Sequence, residues 1–286
     1  MSGRRSVELE EGRITYRVFG ESGSPVVLLH GGGLDNGGWT WRWLAPELAT
    51  DHRVFVPDHP KHGGSWPWKG RADQRGQEYM LERLLDHWGL ESATLIGLSL
   101  GSATSLGFTL RRPERVDRLV LTSCGGIQNR VASHELAYLS LRTPVSWLLT
   151  LMCTPSGLER WVLTHVAFSD DVPAEEITEL AAMAAEEYRA KRRWNGHMFC
   201  DWNRFEIGFR RMRTDFMARV GNLSCPVLFV HGAEDSAVPV RFPREAAGRV
   251  PHGRLEVIEG AGHFVPIERP TEYGAIVRSF LAEAPR

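Results

Sequence analysis

Short apolar runs alternate with amphipathic helical segments along this chain, and that alternation restricts the possible folds more than any other feature. Each run is rich in β-branched residues and bounded by small or polar ones, as expected of strands buried on both faces of a sheet. The predicted strands are Val26–Leu29, Thr94–Ile96, Leu119–Leu121, Val227–Val230 and Leu255–Ile258. Apolar residues recur at helical spacing from Tyr79 to Trp88 and from Ala103 to Leu110. We therefore predict an α/β fold of βαβ units, with a mostly parallel central sheet flanked by helices.

The alternation is interrupted in the middle of the chain. Residues 127–220 lack a strand pattern, and Glu175–Arg193 is rich in Ala and Glu at helical spacing. Three prolines in this segment each predict the start of a helix: Pro144, Pro155 and Pro173. We predict that residues 1–126 and 221–286 form the core, and that residues 127–220 form a helical cap inserted over the C-terminal edge of the sheet. An independent domain is the alternative, but the sequence lacks a second set of linkers.

Composition narrows the functions open to this chain of 286 residues. The formal net charge is -1, so nothing favours a nucleic-acid partner. The N-terminus has no signal-peptide pattern and no stretch is long and apolar enough to span a bilayer, which predicts a cytoplasmic protein without a membrane partner. The four cysteines form no Cys-x-x-Cys pair, which argues against a disulfide framework or a zinc site. We expect a small-molecule substrate, no metal or other cofactor, and a monomer or homodimer.

A serine stands at the junction of a predicted strand and a predicted helix. The segment Gly97-Leu98-Ser99-Leu100-Gly101 follows the strand Thr94–Ile96 and matches the pattern Gly-x-Ser-x-Gly. A serine on such a sharp turn projects its hydroxyl above the sheet, near the positive end of the helix dipole. The flanking glycines let neighbouring backbone approach closely. On its own, this five-residue pattern fits an ordinary strand-to-helix turn equally well.

Two later segments supply chemical partners for Ser99. Asp235 follows the strand Val227–Val230, and His263 follows the strand Leu255–Ile258. A histidine can remove the proton of a serine hydroxyl near neutral pH. An aspartate can fix the histidine tautomer and stabilise the imidazolium that forms. Because each of the three residues comes just after its own strand, we predict that Ser99, Asp235 and His263 form a catalytic triad.

A glycine run after the first predicted strand completes the constellation. In His30-Gly31-Gly32-Gly33 the backbone N–H groups are free of bulky side chains and can face a developing oxyanion. We predict that Gly32 and Leu100 donate to that oxyanion, with Gly33 as the second choice for the glycine donor. A phosphate-binding loop is disfavoured because the patterns G-x-G-x-x-G and G-K-[ST] are absent.

These segments resemble those of the α/β-hydrolase superfamily, in particular its capped serine hydrolases. The resemblance covers Val7–Gly126 and Cys225 to the C-terminus, and it rests on HGGGLDNGGW, GLSLG, VHGAEDSAVP and GAGHFVPIERP. It implies the α/β-hydrolase fold with an inserted helical cap, and it implies the triad and oxyanion roles for the matching residues. Epoxide hydrolases and haloalkane dehalogenases of similar layout carry Asp where this chain has Ser99, which argues against both.

Four residues are predicted to contact the substrate: Trp39, Lys61, Trp66 and Phe264. Lys61 replaces a glycine that is usual in the family, and it contacts either solvent or an anionic or carbonyl-bearing substrate. Trp39 and Trp66 either pack in the core or line the site mouth, where aromatic side chains favour bulky, apolar substrates. Phe264 follows His263 where carbon–carbon bond hydrolases for ring-fission products commonly carry Trp, which weakens that assignment.

The predicted function is therefore a serine hydrolase that cleaves a carboxylic ester or related acyl bond of a bulky hydrophobic small molecule through an acyl-enzyme. The alternative on the same fold is a cofactor-free lyase or cyclase, or a carbon–carbon bond-acting tailoring enzyme of secondary metabolism. A third hypothesis is a ligand receptor that retains the triad.

Overall fold

An eight-stranded sheet forms the centre of the structure, which is a computed structural model. It describes residues 3–154, 156–158, 160, 173–194, 196–197, 199–251 and 253–283. The strands are β1 (Arg5–Leu9), β2 (Gly12–Phe19), β3 (Ser24–Leu29), β4 (His52–Pro57), β5 (Ala93–Leu98), β6 (Val116–Thr122), β7 (Val227–Gly232) and β8 (Gly253–Ile258). Their order in the sheet is β1-β2-β4-β3-β5-β6-β7-β8. The five predicted strands are β3, β5, β6, β7 and β8, which confirms the predicted α/β architecture.

All neighbouring strands from β4 to β8 in this order are parallel. Alternate residues of β3 contribute to opposite faces: Val26 and Leu28 belong to one apolar cluster, and Val27 and Leu29 belong to the other. A strand with helices on both faces needs apolar side chains at every position, which is why β3 is a continuous apolar run from Val26 to Leu29.

The opposite edge of the sheet is antiparallel and lies outside the predicted strands. β1 and β2 form a hairpin whose turn contains Glu10 and Glu11, and β2 pairs antiparallel with β4. β1 mixes exposed and half-buried residues because it is an edge strand with solvent on one side. It therefore lacks the apolar run on which the strand prediction depends.

Helices cover both faces of the sheet. They are α1 (Gly37–Thr40), α2 (Leu44–Leu48), α3 (Gln74–His87), α4 (Leu100–Arg111), α5 (His134–Arg142), α6 (Val145–Met152), α7 (Ala174–Arg193), α8 (Asp201–Glu206), α9 (Arg241–Arg249), α10 (Val265–Glu268) and α11 (Pro270–Ala282). Apolar residues of α3, α4 and α9 pack in one cluster with the sheet, and those of α2 and α11 pack in the other. Among the described residues, no helix is both long and apolar enough to cross a membrane.

Helices α5 to α8 lie between β6 and β7 in the chain, within the predicted cap segment. Pro144 directly precedes α6 and Pro173 directly precedes α7, whereas Pro155 lies outside the described residues. The boundaries of the cap at residues 127 and 220 stay a prediction.

Two tryptophans of the predicted core contact the predicted cap segment. The indole Nε1 of Trp39 donates a hydrogen bond to the Leu180 carbonyl of α7 at 3.1 Å. The ring of Trp66 stacks on Trp194, with centroids 6.2 Å apart and an interplanar angle of 4°. Both core tryptophans are buried. They thus act in packing, which is one of the two roles that the sequence left open for them.

Candidate active site

Ser99 occupies the sharp turn between β5 and α4. Its φ of 53° and ψ of -106° form a backbone conformation that L-residues rarely adopt. A Cβ atom on Gly101 would stand 2.0 Å from the Leu29 carbonyl oxygen, and one on Gly97 would stand 2.4 Å from the Gly101 carbonyl carbon. The two glycines are thus needed because α4 begins directly against the ends of β3 and β5. The turn holds Ser99 half-exposed at the carboxyl edge of the sheet.

Asp235 and His263 meet beyond the ends of β7 and β8. His263 Nδ1 lies 2.9 Å from Asp235 Oδ2. The other carboxylate oxygen, Oδ1, accepts hydrogen bonds from the N–H groups of Ala237 at 2.8 Å and Val238 at 2.9 Å. Since the buried carboxylate can only accept, its contact with Nδ1 selects the His263 tautomer that carries the proton on Nδ1. The Nε2 atom is then a base.

The pair shifts the pKa values of both groups toward their charged forms. Burial alone would lower the pKa of His263, but the negative charge of Asp235 and its hydrogen bond raise it above the ordinary value. Burial alone would raise the pKa of Asp235, but His263 lowers it. Asp235 therefore stays ionised at neutral pH, and His263 binds a proton more tightly than a free imidazole does.

The loop that carries His263 is held by a carboxylate that the sequence analysis missed. Glu268, at the end of α10, accepts the Gly262 N–H at 2.6 Å and the Phe264 N–H at 2.8 Å. Glu268 is fully buried, and its two acceptor contacts lie on either side of His263 in the sequence. It fixes the backbone from which the imidazole projects. The signal that could have revealed it is an acid inside the apolar stretch that follows His263.

The glycine run forms the opposite wall of the site. Gly33 has a φ of 71°, which favours glycine, and a Cβ on Gly32 would stand 2.8 Å from the Sγ of Cys200 in the cap segment. The Gly33 N–H is a hydrogen-bond partner of Cys200, where it lowers a thiol pKa that burial raises. Gly32 and Leu100, at the start of α4, stay the predicted oxyanion donors, with Gly33 as the second choice for the glycine donor.

A second buried carboxylate, Asp35, was also absent from the sequence prediction and contacts the backbone of the glycine run. Asp35 Oδ2 accepts the Gly31 N–H at 2.6 Å, and Thr40 Oγ1 lies 2.6 Å from Asp35 Oδ1. Burial raises the pKa of Asp35 to about 7. These contacts fix the backbone directly before Gly32, as an oxyanion donor requires.

Two neighbouring cavities, which we call lobes, share Ser99 in their lining. The glycine-loop lobe has a volume of about 410 Å³ and is lined by Gly31, Gly32, Gly33, Leu34, Ser99, Asn203, Glu234, Ser236, Ala237, Gly262, His263 and Phe264. The cap lobe has a volume of about 480 Å³ and is lined by Ser99, Gly125, Gln128, Val131, Ala132, Ser133, Leu136, Ala137, Ser140, Leu141, Phe199, Trp202, Asn203, Ile207, Ala237, Val238 and His263. Both lobes share Ser99, Asn203, Ala237 and His263. The predicted nucleophile and base thus stand where the lobes meet.

Of the four residues predicted to contact the substrate, one lines these lobes. Phe264 lines the glycine-loop lobe, whereas Trp39, Lys61 and Trp66 do not line either lobe. The Lys61 Nζ lies 2.5 Å from Asp201 Oδ2 at the start of α8, so this lysine binds the cap segment as the two tryptophans do. Trp39 lies close in sequence to the glycine run, and Lys61 and Trp66 follow β4. That proximity did not distinguish residues of the cavity wall from residues that contact the cap segment.

Comparison with known proteins identifies the family to which the chain belongs. The chain matches the model of the alpha/beta hydrolase family over residues 26–276. It is 29% identical over 276 residues to the 2-hydroxymuconate semialdehyde hydrolase of Pseudomonas sp. strain CF600, covering 92% of this chain and 88% of that protein.

Two solved structures show the same fold. One is the 2-hydroxy-6-oxo-6-phenylhexa-2,4-dienoate hydrolase of Rhodococcus sp. strain RHA1, with a TM-score of 0.77, 21% identity and coverage of 99% of both chains. The other is a thermophilic esterase from Thermogutta terrifontis, with a TM-score of 0.74, 23% identity and coverage of 98% of both chains.

Proposed function

This chain is a hydrolase of the alpha/beta hydrolase family, and from that premise we propose that it cleaves carboxylic esters of bulky, apolar small molecules through an acyl-enzyme on Ser99. The observation that carries the proposal is the position of Ser99 and His263 at the junction of the two lobes. An ester has two substituents on either side of its reacting carbonyl, and a divided cavity with the nucleophile at the division accommodates that shape.

The proposed reaction proceeds in two halves. His263 Nε2 accepts the Ser99 hydroxyl proton while Oγ attacks the ester carbonyl carbon, and the N–H groups of Gly32 and Leu100 donate to the resulting oxyanion. The tetrahedral intermediate collapses when the leaving alkoxide takes the proton from His263. Water then attacks the acyl-enzyme by the same route, with His263 as base, and releases the acid and free Ser99. Asp235 stabilises the imidazolium in each half.

Carbon–carbon bond hydrolysis is the second candidate. The similarity to the 2-hydroxymuconate semialdehyde hydrolase favours it, because a serine, a histidine and an oxyanion hole can also act on an aldehyde or ketone carbonyl. The compound in that name is a carboxylate, so this candidate requires an anion to be accommodated beside Ser99. A direct comparison of ring-fission acids with aryl esters as substrates separates the two candidates.

We expect an active-site-directed fluorophosphonate to label the folded protein once, at Ser99. The reason is that the turn exposes a hydroxyl that His263 can deprotonate, whereas ordinary serines do not react. Intact-mass measurement gives the stoichiometry and peptide mapping gives the position. Hydrolysis of p-nitrophenyl acetate, butyrate, hexanoate and decanoate is measured in parallel. Absence of labelling together with absence of ester turnover would contradict the proposal.

The rate should fall on the acid side with a pKa above 6.5. Catalysis needs neutral His263, and the charge of Asp235 raises the pKa of that imidazole, so the base is lost at a higher pH than for free histidine. Below that pKa, kcat/KM should drop about tenfold for each pH unit. The measurement is kcat/KM for p-nitrophenyl butyrate across the pH range in which the fold is intact by circular dichroism. A profile that stays flat down to pH 5 would contradict the assignment of His263 as the base.

A further inference from the structure

We infer that this site selects substrates that are uncharged on both sides of the scissile bond and discriminates against those that carry a carboxylate. The inference rests on the proposed function and extends it to a substrate class. Among the described residues that line the two lobes, none is a lysine or an arginine, and the carboxylate there is Glu234. The undescribed positions of the cap segment, 155, 159, 161–172, 195 and 198, contain no lysine or arginine in the sequence.

The lysines at the boundary between cap and core are engaged elsewhere. Lys61 Nζ forms its ion pair with Asp201. Lys191 is 2% exposed, and its Nζ donates to the Lys61 carbonyl at 3.2 Å and lies 3.7 Å from Glu187 Oε1. Drawing either ammonium group toward a substrate would leave a carboxylate of the boundary without its partner.

The walls of the cap lobe make an unpaired anion costly. Its large side chains include Val131, Leu136, Leu141, Trp202 and Ile207, which offer a carboxylate no compensation for lost water. In the glycine-loop lobe, the exposed Glu234 repels a second negative charge. An acyl or alkoxy group without charge meets neither penalty.

The polar group that the two lobes share suits a neutral oxygen. Asn203 lines both lobes, and its Oδ1 accepts the Cys200 thiol at 2.7 Å. Asn203 thus presents a neutral amide among the residues that line both lobes. Neutral side chains of this kind, which also include Gln128, Ser133, Ser140 and Ser236, can bind a carbonyl, ether or hydroxyl oxygen but supply no positive charge to balance a carboxylate.

Three p-nitrophenyl esters of matched length test the inference: the hexanoate, the mono-adipate with its free carboxylate, and the methyl adipate in which that carboxylate is a neutral methyl ester. Their reacting carbonyls are alike, so hydroxide-catalysed rates correct for small differences. For the wild-type protein we expect kcat/KM for the hexanoate to exceed that for the mono-adipate by about 100-fold or more. The methyl adipate should recover to within about tenfold of the hexanoate, since only its charge has been removed.

A matched pair of variants tests whether the missing cation is the cause. Leu136 on α5 is 68% exposed and lines the cap lobe, whereas Leu139 on the same helix is 52% exposed and does not line it. We expect Leu136→Arg to lower the ratio of hexanoate to mono-adipate kcat/KM by about tenfold at low salt, and less at high salt. Leu139→Arg adds the same charge outside the cavity and should leave the ratio unchanged.

The outcomes separate this inference from the proposed function. If the esters are hydrolysed and the mono-adipate is used as well as the hexanoate, the inference is overturned and the proposed function stands. If Leu139→Arg lowers the ratio as much as Leu136→Arg does, the charge of the cavity wall is not the cause and the inference also fails. If none of the esters is hydrolysed and Ser99 stays unlabelled, the proposed function itself fails.

Discussion

Replacing Ser99 with alanine should lower kcat for a p-nitrophenyl ester by about 10⁴-fold or more, to a residual rate that comes from binding and the oxyanion hole alone. The change removes the atom that forms the acyl-enzyme and leaves the lobes, Asp235 and His263 in place. KM should change far less than kcat, because Ser99 contributes one small side chain to two large lobes. Steady-state kinetics with tight limits on contaminating esterase give both constants.

The strained backbone of Ser99 allows a control, Ser99→Gly, in which loss of activity can be separated from loss of stability. At a φ of 53° and a ψ of -106°, any side chain is strained, and glycine relieves the strain. Ser99→Gly should therefore be as inactive as Ser99→Ala but more resistant to urea, by about 1 kcal/mol in the free energy of unfolding. If Ser99→Ala keeps more than a tenth of the wild-type kcat, Ser99 is not the nucleophile.

The sequence predicted the fold best at the parallel strands and at the residues that directly follow them. Parallel strands buried on both faces must be continuous apolar runs, so β3, β5, β6 and β7 stood out, whereas the edge strand β8 has polar Arg254 and Glu256 among its apolar residues. The residues just after the strands could be placed at one edge of the sheet. The structure brings Asp235 and His263 into contact there, 28 positions apart in the chain. Steric necessity also fixed Gly97 and Gly101, since neither has room for a Cβ.

Contacts between residues that are far apart in the sequence could not be predicted in this way. Asn203 reaches the junction of the lobes from α8, and no local pattern connects it with the glycine run. Lys61 looked free to face a substrate because its partner, Asp201, lies 140 positions away. Both contacts depend on how the cap segment packs on the core. The sequence alone does not show which face of each cap helix contacts the core.

Asp235→Asn should lower kcat by about 10⁴-fold while the fold stays intact. The asparagine oxygen can still accept the N–H groups of Ala237 and Val238, so the turn after β7 keeps its hydrogen bonds. Its amide nitrogen, however, would face His263 Nδ1 as a donor, which stabilises the tautomer that carries its proton on Nε2. In that tautomer Nε2 cannot accept the Ser99 proton.

The same substitution should move the acid limb of kcat/KM to lower pH. The pKa of His263 is raised by the charge of Asp235, and burial, which lowers that pKa, is then opposed only by more distant acids. Asp86→Asn is a fitting control, because it removes one charge from the Asp86–Arg115 pair at the C-terminal end of α3, which does not line either lobe, and should leave kcat and its pH profile unchanged. Only the electrostatic role of Asp235 couples the rate of the reaction to the protonation of the imidazole. A slow Asp235→Asn enzyme whose acid limb stays at the wild-type pH would therefore show that Asp235 supports the loop without acting on His263.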